Sequence, residues 1–533
     1  MSSTAQTLPM EQVVWQPKVN PWVIGITVSM AAFLEVLDTS IANVALPYIA
    51  GNLGASYDDS TWVLTSYLAA NAIVLPISGW LAELIGRKRY FLLSLIVFTL
   101  SSLLCGLAPS LPMLLLFRAV QGVGGGGLQP MAQAILNDTF PPEKRGLAFA
   151  LYGITAVLAP TVGPMLGGWI TDNYSWRWIF FIKIPIAALA LYLTYKLVSD
   201  PPSLRRVKHA GVRVDYIGIA LLSLGVGCLQ VLLDKGQEDD WFGSHFIVTL
   251  MITAAVCLTT LVVWEWFRKE PIIDVRLFKK FNFAAANLMM FMMGVMLFST
   301  LVMIPEFLQT LVGYTAELAG LVLSASGFVL LLMMPVVGRL TTKIQSRYLI
   351  AAGWGALALG LYYSAYHTDL YISFRFAMWL RVAQVVGIGF LFVPITMAGY
   401  IGIPAEKGNS VSGMVNFMRN MGSSIGTSIV TTMLARRAQY HQQVLVSHAT
   451  PNTSAFREAM NALTNAIAHS GFSRHDARLR AIAKFYAQLN REAHTLSYLD
   501  TFWVLAGLSA VMFLLAFFLK KNDPGAAGQV AAG

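Results

Sequence analysis

The chain has 533 residues, of which 56% are hydrophobic and 12% are charged. A soluble protein carries about twice that charged fraction, so the composition excludes a soluble enzyme and indicates a polytopic membrane protein. The net charge of +10 does not indicate nucleic-acid binding, because the basic residues stand in short loops and not on one polar module. Cys105, Cys228 and Cys257 all fall in apolar segments, which predicts neither a disulfide framework nor a metal site.

About fourteen segments of roughly twenty apolar residues follow one another, and each is long enough to cross a bilayer as a helix. Their approximate limits are 21–47, 60–82, 90–108, 111–137, 146–171, 178–198, 215–233, 245–266, 282–306, 316–340, 348–366, 375–400, 408–434 and 498–519. No small-residue cleavage site follows the first segment, so we interpret it as a retained span and not as a signal peptide.

The loops between these spans alternate in charge. The cations of one side are Arg87, Lys88, Arg89, Lys144, Arg145, Arg205, Arg206, Lys208, Arg213, Arg268, Lys269, Arg276, Lys279, Lys280, Lys343, Arg347, Lys520 and Lys521. The short loops opposite hold few cations and include Asp58, Asp59 and the acidic stretch 238–240. The positive-inside rule therefore predicts that both termini lie in the cytoplasm.

The first span contains two carboxylates, Glu35 and Asp38, within FLEVLDTSIANVALP. A charge at the centre of a membrane helix costs roughly 2.5–3.5 kcal/mol, so these acids are expected to face a polar cavity or a partner charge. Arg118 of span 4 and Asp38 of span 1 lie at similar distances from the outer ends of their spans. Their depths in the membrane are therefore similar, and the two side chains are expected to meet. The pair is either a proton-coupling site or a static ion pair that holds spans 1 and 4 together.

Glu35 lies one turn deeper, near the same helix face as Asp38. It is a second proton site, an attraction point for a cationic substrate, or a neutral acid with hydrogen-bonded neighbours. Arg419 of span 13 lies near mid-membrane beside Asn416 and Asn420. It either faces a carboxylate or substrate, or forms a structural pair. Arg381 of span 12 lies near the outer end of its span and is expected to snorkel to the interface.

An internal repeat relates the two halves of the chain. The residues Arg118, Gln121, Gly124 and Gly126 recur at a constant offset as Arg381, Gln384, Gly387 and Gly389, and Pro76 and Gly79 recur as Pro335 and Gly338. Spans 1–6 are therefore expected to form one half (1–200) and spans 9–14 the other (282–533), with spans 7–8 inserted (201–281). Transporters built from parallel repeats hold their site between the halves at mid-membrane.

The glycine run 124–127 invites a phosphate-loop interpretation, but no Gly-Lys-Ser/Thr follows it and it lies inside a span, where small residues let helices pack closely. The same packing argument holds for 163–168, where Pro164 would also kink span 5. Scattered aromatic and methionine residues either line an adaptable substrate cavity or face lipid. The candidate cavity residues are Glu35, Asn43, Tyr67, Gln121, Asn416 and Arg419.

The segment 435–497, between the last two spans, is polar and lies on the outer side. Phe456, Met460, Leu463 and Ile467 have helical spacing within it. It is either a surface cap or a docking surface for a partner outside the inner membrane.

Four motifs stand in order on the first five spans. They consist of Leu37, Asp38, Thr39, Ile41, Asn43, Ala45 and Pro47; Gly79, Leu81, Glu83, Gly86, Arg87 and Lys88; Arg118, Gln121, Gly122 and Gly124; and Gly163, Pro164, Gly167 and Gly168. With them the chain resembles the fourteen-span drug:proton antiporters of the major facilitator superfamily, of the EmrB type, over nearly its whole length. It departs from the family pattern at Glu83, where aspartate is usual, at Leu84, where a basic residue is usual, and at Thr39 and Ser40, which are exchanged.

The resemblance implies an all-α major facilitator fold of fourteen transmembrane helices, two six-helix halves plus two inserted helices. It implies proton-coupled efflux of hydrophobic or amphipathic drugs across the bacterial inner membrane, by alternating access and without a cofactor other than the proton gradient. From their depth and burial, Asp38, Arg118 and Glu35 are the candidate proton-coupling residues, although relatives often carry an uncharged polar residue at the position of Glu35. By the resemblance, the loop from Gly79 to Lys88 would act as a gate, and the kink at Pro164 in the motif of span 5 would seal the outward path. A periplasmic adaptor of the EmrA/HlyD type and a TolC-like outer-membrane channel are the expected partners.

Other functions remain compatible with the sequence. An exporter of one natural product, fatty acid or siderophore would share every feature above. An uptake symporter would share the fold, although the motif of span 5 is typical of antiporters. A receptor or scaffold that transports nothing would not need acids inside span 1.

Overall fold

The computed structural model describes residues 19–200, 215–268, 271–404, 407–450 and 452–521, which are helices joined by short turns. Five of the cations used to predict orientation, Arg205, Arg206, Lys208, Arg213 and Lys269, lie outside the described residues, as does the side chain of Asp58.

The described residues of the first half and the insert form ten α-helices. They are α1 (Pro21–Leu53), α2 (Tyr57–Ile85), α3 (Arg87–Leu107), α4 (Leu111–Gly125), α5 (Leu128–Thr139), α6 (Pro142–Asn173), α7 (Trp178–Phe181), α8 (Lys183–Leu197), α9 (Tyr216–Lys235) and α10 (His245–Phe267). The predicted fourth span is divided into α4 and α5 at Gly126, and the sixth into α7 and α8 at Ile182. The second break places Lys183 at the first turn of α8.

Seven α-helices are formed by the part of the second half that the structure describes. They are α11 (Phe281–Phe307), α12 (Ala316–Leu340), α13 (Ser346–His367), α14 (Phe374–Tyr400), α15 (Gly408–His448), α16 (Ser454–Ala468) and α17 (Arg474–Ala516). The 3-10 turns Trp241–Gly243 and Val275–Lys279 lie in connections, and the π-turn Leu308–Val312 ends α11.

Thirteen helical segments of the described chain are long and apolar enough to cross a membrane. They match every predicted span except 408–434, which lies in α15. This helix packs against α2, α11 and α17, so it occupies the position of a spanning helix within the bundle. Several of its polar side chains, among them Asn416 and Arg419, are buried against other helices, and this explains its lower hydropathy.

The polar segment 435–497 is mostly helical. Helix α15 continues to His448, α16 covers the predicted helical spacing, and α17 begins at Arg474 before it returns through the bundle. Phe456 of α16 packs edge-on against Phe485 of α17, with ring centroids 5.1 Å apart. The helical prediction for this segment is confirmed, and the three helices together form an extension beyond the membrane-spanning part.

The two predicted halves meet along few helix pairs. Helix α6 packs on α12 and α14, while α15 packs on α2 and α5. The closest approaches lie near the side of the bundle where α1 begins and α17 ends, here called the terminal side. A methyl group added at Gly79 would lie 2.8 Å from the backbone of Ser410, and one added at Gly146 would lie 2.5 Å from the carbonyl oxygen of Gly338. The structure thus joins the halves tightly on the terminal side.

Candidate functional site

Glu35 and Asp38 are both buried inside α1, with 4% and 1% of their surface exposed. One helical turn separates them, yet they have different neighbours. Their surroundings form two connected polar clusters, one around each carboxylate.

Asp38 lies between two cations. Nη1 of Arg118 donates to its Oδ2 at 2.5 Å, and the ammonium of Lys183 contacts its Oδ1. Gln121 also donates to Oδ1, at 3.1 Å, and Nε of Arg118 donates to the carbonyl oxygen of Val63 at 3.0 Å. The predicted proximity of Asp38 and Arg118 is therefore confirmed. With all three groups ionised, the cluster carries one net positive charge inside the bundle.

Lys183 was not identified from the sequence. It is 1% exposed, and its ammonium lies 5.0 Å from the ring centroid of Phe180. The signal available was a cation in the apolar segment 178–198, well before Lys196 near the end of that segment, and it is the same kind of signal that marked Glu35 and Asp38 in span 1.

Glu35 is held by neutral hydrogen-bond donors. Tyr67 donates to its Oε1 at 3.2 Å, Asn71 donates to the same oxygen at 3.0 Å, and Gln129 donates to Oε2. The amide oxygen Oε1 of Gln129 accepts hydrogen bonds from the hydroxyl of Tyr152 and from the guanidinium of Arg419. One glutamine therefore joins an acid of the first half to a cation of the second.

Tyr67 connects the two clusters. Its hydroxyl donates to Glu35, while the guanidinium carbon of Arg118 lies 4.4 Å from its ring centroid. Such a contact is a cation–π interaction, which strengthens when water is excluded. A change at Asp38 that moves Arg118 would therefore also move Tyr67 and alter its hydrogen bond to Glu35.

A central cavity of about 90 Å³ lies between the halves, with room for several water molecules. Its polar lining includes Glu35, Asn71, Gln129, Arg419 and Asn420. The apolar lining comes from both halves and includes Val36, Leu68, Pro160, Met293, Leu297, Phe298, Met334, Ile388 and Phe392. Asp38 does not line this cavity, so it lies behind Glu35 as seen from the cavity.

The other predicted cavity residues have different positions. Tyr67 and Gln121 are buried behind the cavity and contact Glu35 and Asp38, respectively. Asn416 donates to Gln133 at 2.8 Å, across the junction of the halves. Asn43 is exposed and is not among the residues that line the cavity.

The loop between α2 and α3 is held within the first half in this structure. Arg87 forms an ion pair with Asp138, and Nζ of Lys88 donates to the carbonyl oxygen of Tyr195 at 2.7 Å. Gly86 takes a φ of 95°, a left-handed conformation that favours glycine at this sharp turn. Glu83 is exposed.

The motif of span 5 packs α6 directly on the acid-bearing helix. A methyl group added at Gly163 would lie 2.5 Å from Cβ of Ser40, and one at Gly167 would lie 3.1 Å from the carbonyl oxygen of Ile41. Gly168 has more space, and Pro164 is exposed. The small residues thus bring α6 close to the turn of α1 that follows Asp38.

The expectation that Arg381 snorkels is wrong. Its side chain is buried, and Nη1 donates to Thr300 at 2.8 Å and to Gln384 at 3.2 Å. The physical reason is the internal repeat: Arg381 occupies the position of Arg118 in the second half. Neighbouring helices therefore enclose it, although it lies near the end of its span.

The comparisons with known proteins agree with the fold. The Major Facilitator Superfamily model matches residues 28–427. The chain is 37% identical over 498 residues to the multidrug export protein EmrB of Escherichia coli (strain K12), covering 93% of this chain and 95% of the relative. It is 40% identical over 440 residues to the fatty acid resistance protein FarB of Neisseria gonorrhoeae, covering 82% and 85%.

The solved structure of the proton:xylose symporter XylE is similar in fold alone, with 14% identity and a TM-score of 0.59 over 94% of this chain and 96% of that one. The predicted all-α architecture is confirmed.

Proposed function

Because the chain belongs to the major facilitator superfamily of multi-pass membrane transporters, we propose that it exports hydrophobic or amphipathic drugs in exchange for protons. The observation that carries this proposal is the buried carboxylate of Asp38 between Arg118 and Lys183, linked through Tyr67 to Glu35 at the central cavity. The multidrug export named for the EmrB relative supports the substrate class.

Proton coupling follows from the charges around Asp38. When a proton binds the carboxylate, its attraction for the two cations is lost, and Arg118 and Lys183 are left close together in a medium of low dielectric. Their repulsion favours a packing in which α4 and α8 hold the cations apart or nearer to water. Because Arg118 contacts the ring of Tyr67, the same movement alters the hydrogen bonding of Glu35.

Substrate binding is assigned to the central cavity. Glu35 has no ion-pair partner among the described residues, so its carboxylate attracts cationic compounds. Met293, Met334 and Phe392 line the same space, and such flexible or flat side chains adapt to apolar ligands of different shape. Neither proton coupling nor substrate binding requires a bound cofactor, because the proton gradient supplies the energy for export.

The membrane and its orientation are proposed from the charge pattern. The positive-inside rule places the terminal side in the cytoplasm of a bacterial inner membrane. The structure would then be closed towards the cytoplasm at Gly79 and Gly146. The helical extension of α15, α16 and α17 would lie in the periplasm.

An adaptor of the EmrA/HlyD type is the proposed partner of this extension, with a TolC-like channel beyond it. Leu479, Ile482 and Tyr486 are exposed and share one face of α17, with 55%, 49% and 51% of their surfaces accessible. Apolar residues on the solvent-facing surface of a polar segment are typical of a binding surface.

The decisive experiment is transport by reconstituted vesicles with an imposed pH gradient. We expect wild type to move a cationic dye against its gradient, and Asp38→Asn to reduce this to the level of protein-free vesicles. Asp369→Asn, at an exposed acid in the turn after α13, is the matched control. Undiminished gradient-driven transport by Asp38→Asn would contradict the proposal, and transport of dye and proton in the same direction would identify an uptake symporter.

A further inference from the structure

The inserted helix α9 reaches the central cavity, although the internal repeat places it in neither six-helix half. It packs on α2 of the first half and on α15 of the second. Gln230 of α9 is 1% exposed and lines the cavity between the halves. Burying an amide is costly unless it is hydrogen-bonded, so the partners of this side chain show what it can still bind.

The amide of Gln230 contacts two polar side chains among the described residues. Nε2 donates to Oδ1 of Asp234 at 3.2 Å, and Oγ of Ser424 lies 3.0 Å from Nε2 and 3.1 Å from Oε1. Because an ionised carboxylate only accepts hydrogen bonds, Asp234 holds the nitrogen side of the amide towards itself. An amide oxygen can accept two hydrogen bonds, so Oε1 keeps an acceptor position for a ligand beside Ser424.

Gln230 lies at one end of a polar strip along the cavity. Asn71 donates to Glu35 at 3.0 Å, and Asn420 donates to Asn71 at 3.3 Å. Ser424 follows Asn420 by one helical turn and contacts Gln230. All five side chains line the central cavity, and the rest of its lining is mainly apolar. The strip therefore presents a carboxylate at one end and an acceptor oxygen at the other.

We propose that Gln230 contacts the exported substrate and accepts a hydrogen bond from an N–H or O–H group, so that the inserted helix contributes to substrate specificity. This inference rests on the proposed export function and names its favoured substrates as cationic amphiphiles that carry a hydrogen-bond donor. Glu35 attracts the positive charge, and Oε1 of Gln230 favours compounds with N–H groups over their N-methylated forms. Asp234 is not among the residues that line the cavity, and it acts as a positioning residue for the amide.

The test compares two cationic dyes with the same aromatic skeleton, pararosaniline and crystal violet. Pararosaniline carries amino groups, whereas crystal violet carries dimethylamino groups in their place and has no N–H. Equilibrium dialysis of the protein in nanodiscs, without a pH gradient, measures both dissociation constants, and empty nanodiscs correct for partition into lipid. The ratio of the two constants, relative to the wild-type ratio, is the readout, because changes that affect both dyes alike cancel in it.

The decisive variant is Gln230→Met, which keeps the length of the side chain but removes the amide. We expect it to weaken pararosaniline binding about three- to tenfold, as for the loss of one buried neutral hydrogen bond, and to leave crystal violet binding within about twofold of wild type. Gln230→Glu keeps an acceptor oxygen, so the wild-type preference should be retained. Glu35→Gln should weaken both dyes alike, because both are cations. Gln488→Met, at an exposed glutamine of α17, is the matched control and should change neither constant.

Asp234→Asn tests the positioning role. An asparagine can donate as well as accept, so the amide of Gln230 would be free to turn around. We expect the preference for pararosaniline to fall by less than in Gln230→Met. An unchanged ratio would overturn the positioning role of Asp234.

An unchanged ratio in Gln230→Met would overturn the inference, and so would equal weakening of both dyes, which would identify a packing role. Loss of the preference in Gln230→Glu would also overturn it, and this variant decides the matter if Gln230→Met does not fold. A lack of saturable binding by wild type has the same consequence. No gradient is present, so these results do not depend on proton coupling, and the effect of Asp38→Asn on dye export tests the proposed function separately.

Discussion

Glu35 and Asp38 lie one turn apart on α1, but only Glu35 lines the central cavity, while Asp38 is enclosed by Arg118 and Lys183. The two acids can therefore have different chemical roles. Glu35 can meet a substrate, and Asp38 can change the charge balance of the first half. Tyr67 contacts both clusters, so the tasks are physically connected.

The charge balance around Asp38 predicts non-additive effects on stability. Asp38→Asn leaves Arg118 and Lys183 buried without a carboxylate, which should cost about 3–5 kcal/mol, the cost of breaking a buried ion pair. Lys183→Met in the same chain removes one of the uncompensated cations and should restore part of that loss. Thermal unfolding of both single variants and the double variant, in detergent, measures the coupling. Additive losses would show that Lys183 and Asp38 do not interact.

Glu35 should determine preference for charge in the substrate. Glu35→Gln keeps hydrogen bonding to Tyr67 and Asn71 possible but removes the negative charge from the cavity. Export of a cationic dye should therefore fall about tenfold relative to export of a neutral one of similar size, as expected for the loss of one charge interaction. The ratio of the two export rates in vesicles is the measurement. An unchanged ratio would show that Glu35 does not select substrates by charge.

Gly79 should be required for closure of the terminal side. In Gly79→Ala, a methyl group would lie 2.8 Å from the backbone of Ser410, so α2 and α15 would have to move apart. We expect at least a tenfold loss of transport, on the order of 1.4 kcal/mol or more against the closed packing. Transport rates in vesicles provide the measurement. Gly51→Ala on α1 is the matched control, because nothing lies within 4 Å of the added methyl group.

Asp274 should make a small, pH-dependent contribution to stability. It lies outside the spanning helices, between α10 and α11, where burial opposes its charge but Lys407 and Arg276 prevail and hold the pKa of its carboxyl below the ordinary value. A lowered pKa in the folded state stabilises the protein above the unfolded pKa, near 4, and this contribution is lost as the pH falls below it.

Asp274→Asn should therefore cost less than about 1 kcal/mol at neutral pH, because Lys407 and Arg276 are partly exposed to solvent. The difference from wild type should shrink as the pH falls below about 4 and through the lowered pKa of the Asp274 carboxyl. Unfolding curves of both proteins at neutral pH and over this acid range measure it. A difference that grows as the pH falls would contradict the assignment of the ion pairs.

The exposed apolar face of α17 should bind the adaptor. Replacing both Leu479 and Ile482 with Asp places charges on this face, and we expect co-purification with a HlyD-type adaptor to fall at least tenfold. Lys484→Asp, on the other side of the helix, is the control for added negative charge. Size-exclusion chromatography verifies that the variants are folded. Adaptor binding that survives the double replacement would place the contact elsewhere.

The sequence by itself determined the features that depend on local composition and on position along a helix. Apolar length predicted the spans, because a bilayer requires helices of one minimum length. Matching depth predicted the contact between Asp38 and Arg118, because helical rise converts residue number into height. The repeat predicted that Arg381 corresponds to Arg118.

Only the tertiary structure decided which helices surround each of these side chains. Height along a span does not specify the direction in which a side chain points, or which neighbour packs there. Lys183 joins Asp38 because α7 and α8 meet at a break, and Glu35 turns to the cavity because α2 and α5 supply its hydrogen-bond donors. Arg381 is buried because neighbouring helices pack around it. Its access to water depends on that packing and not on its position along span 12.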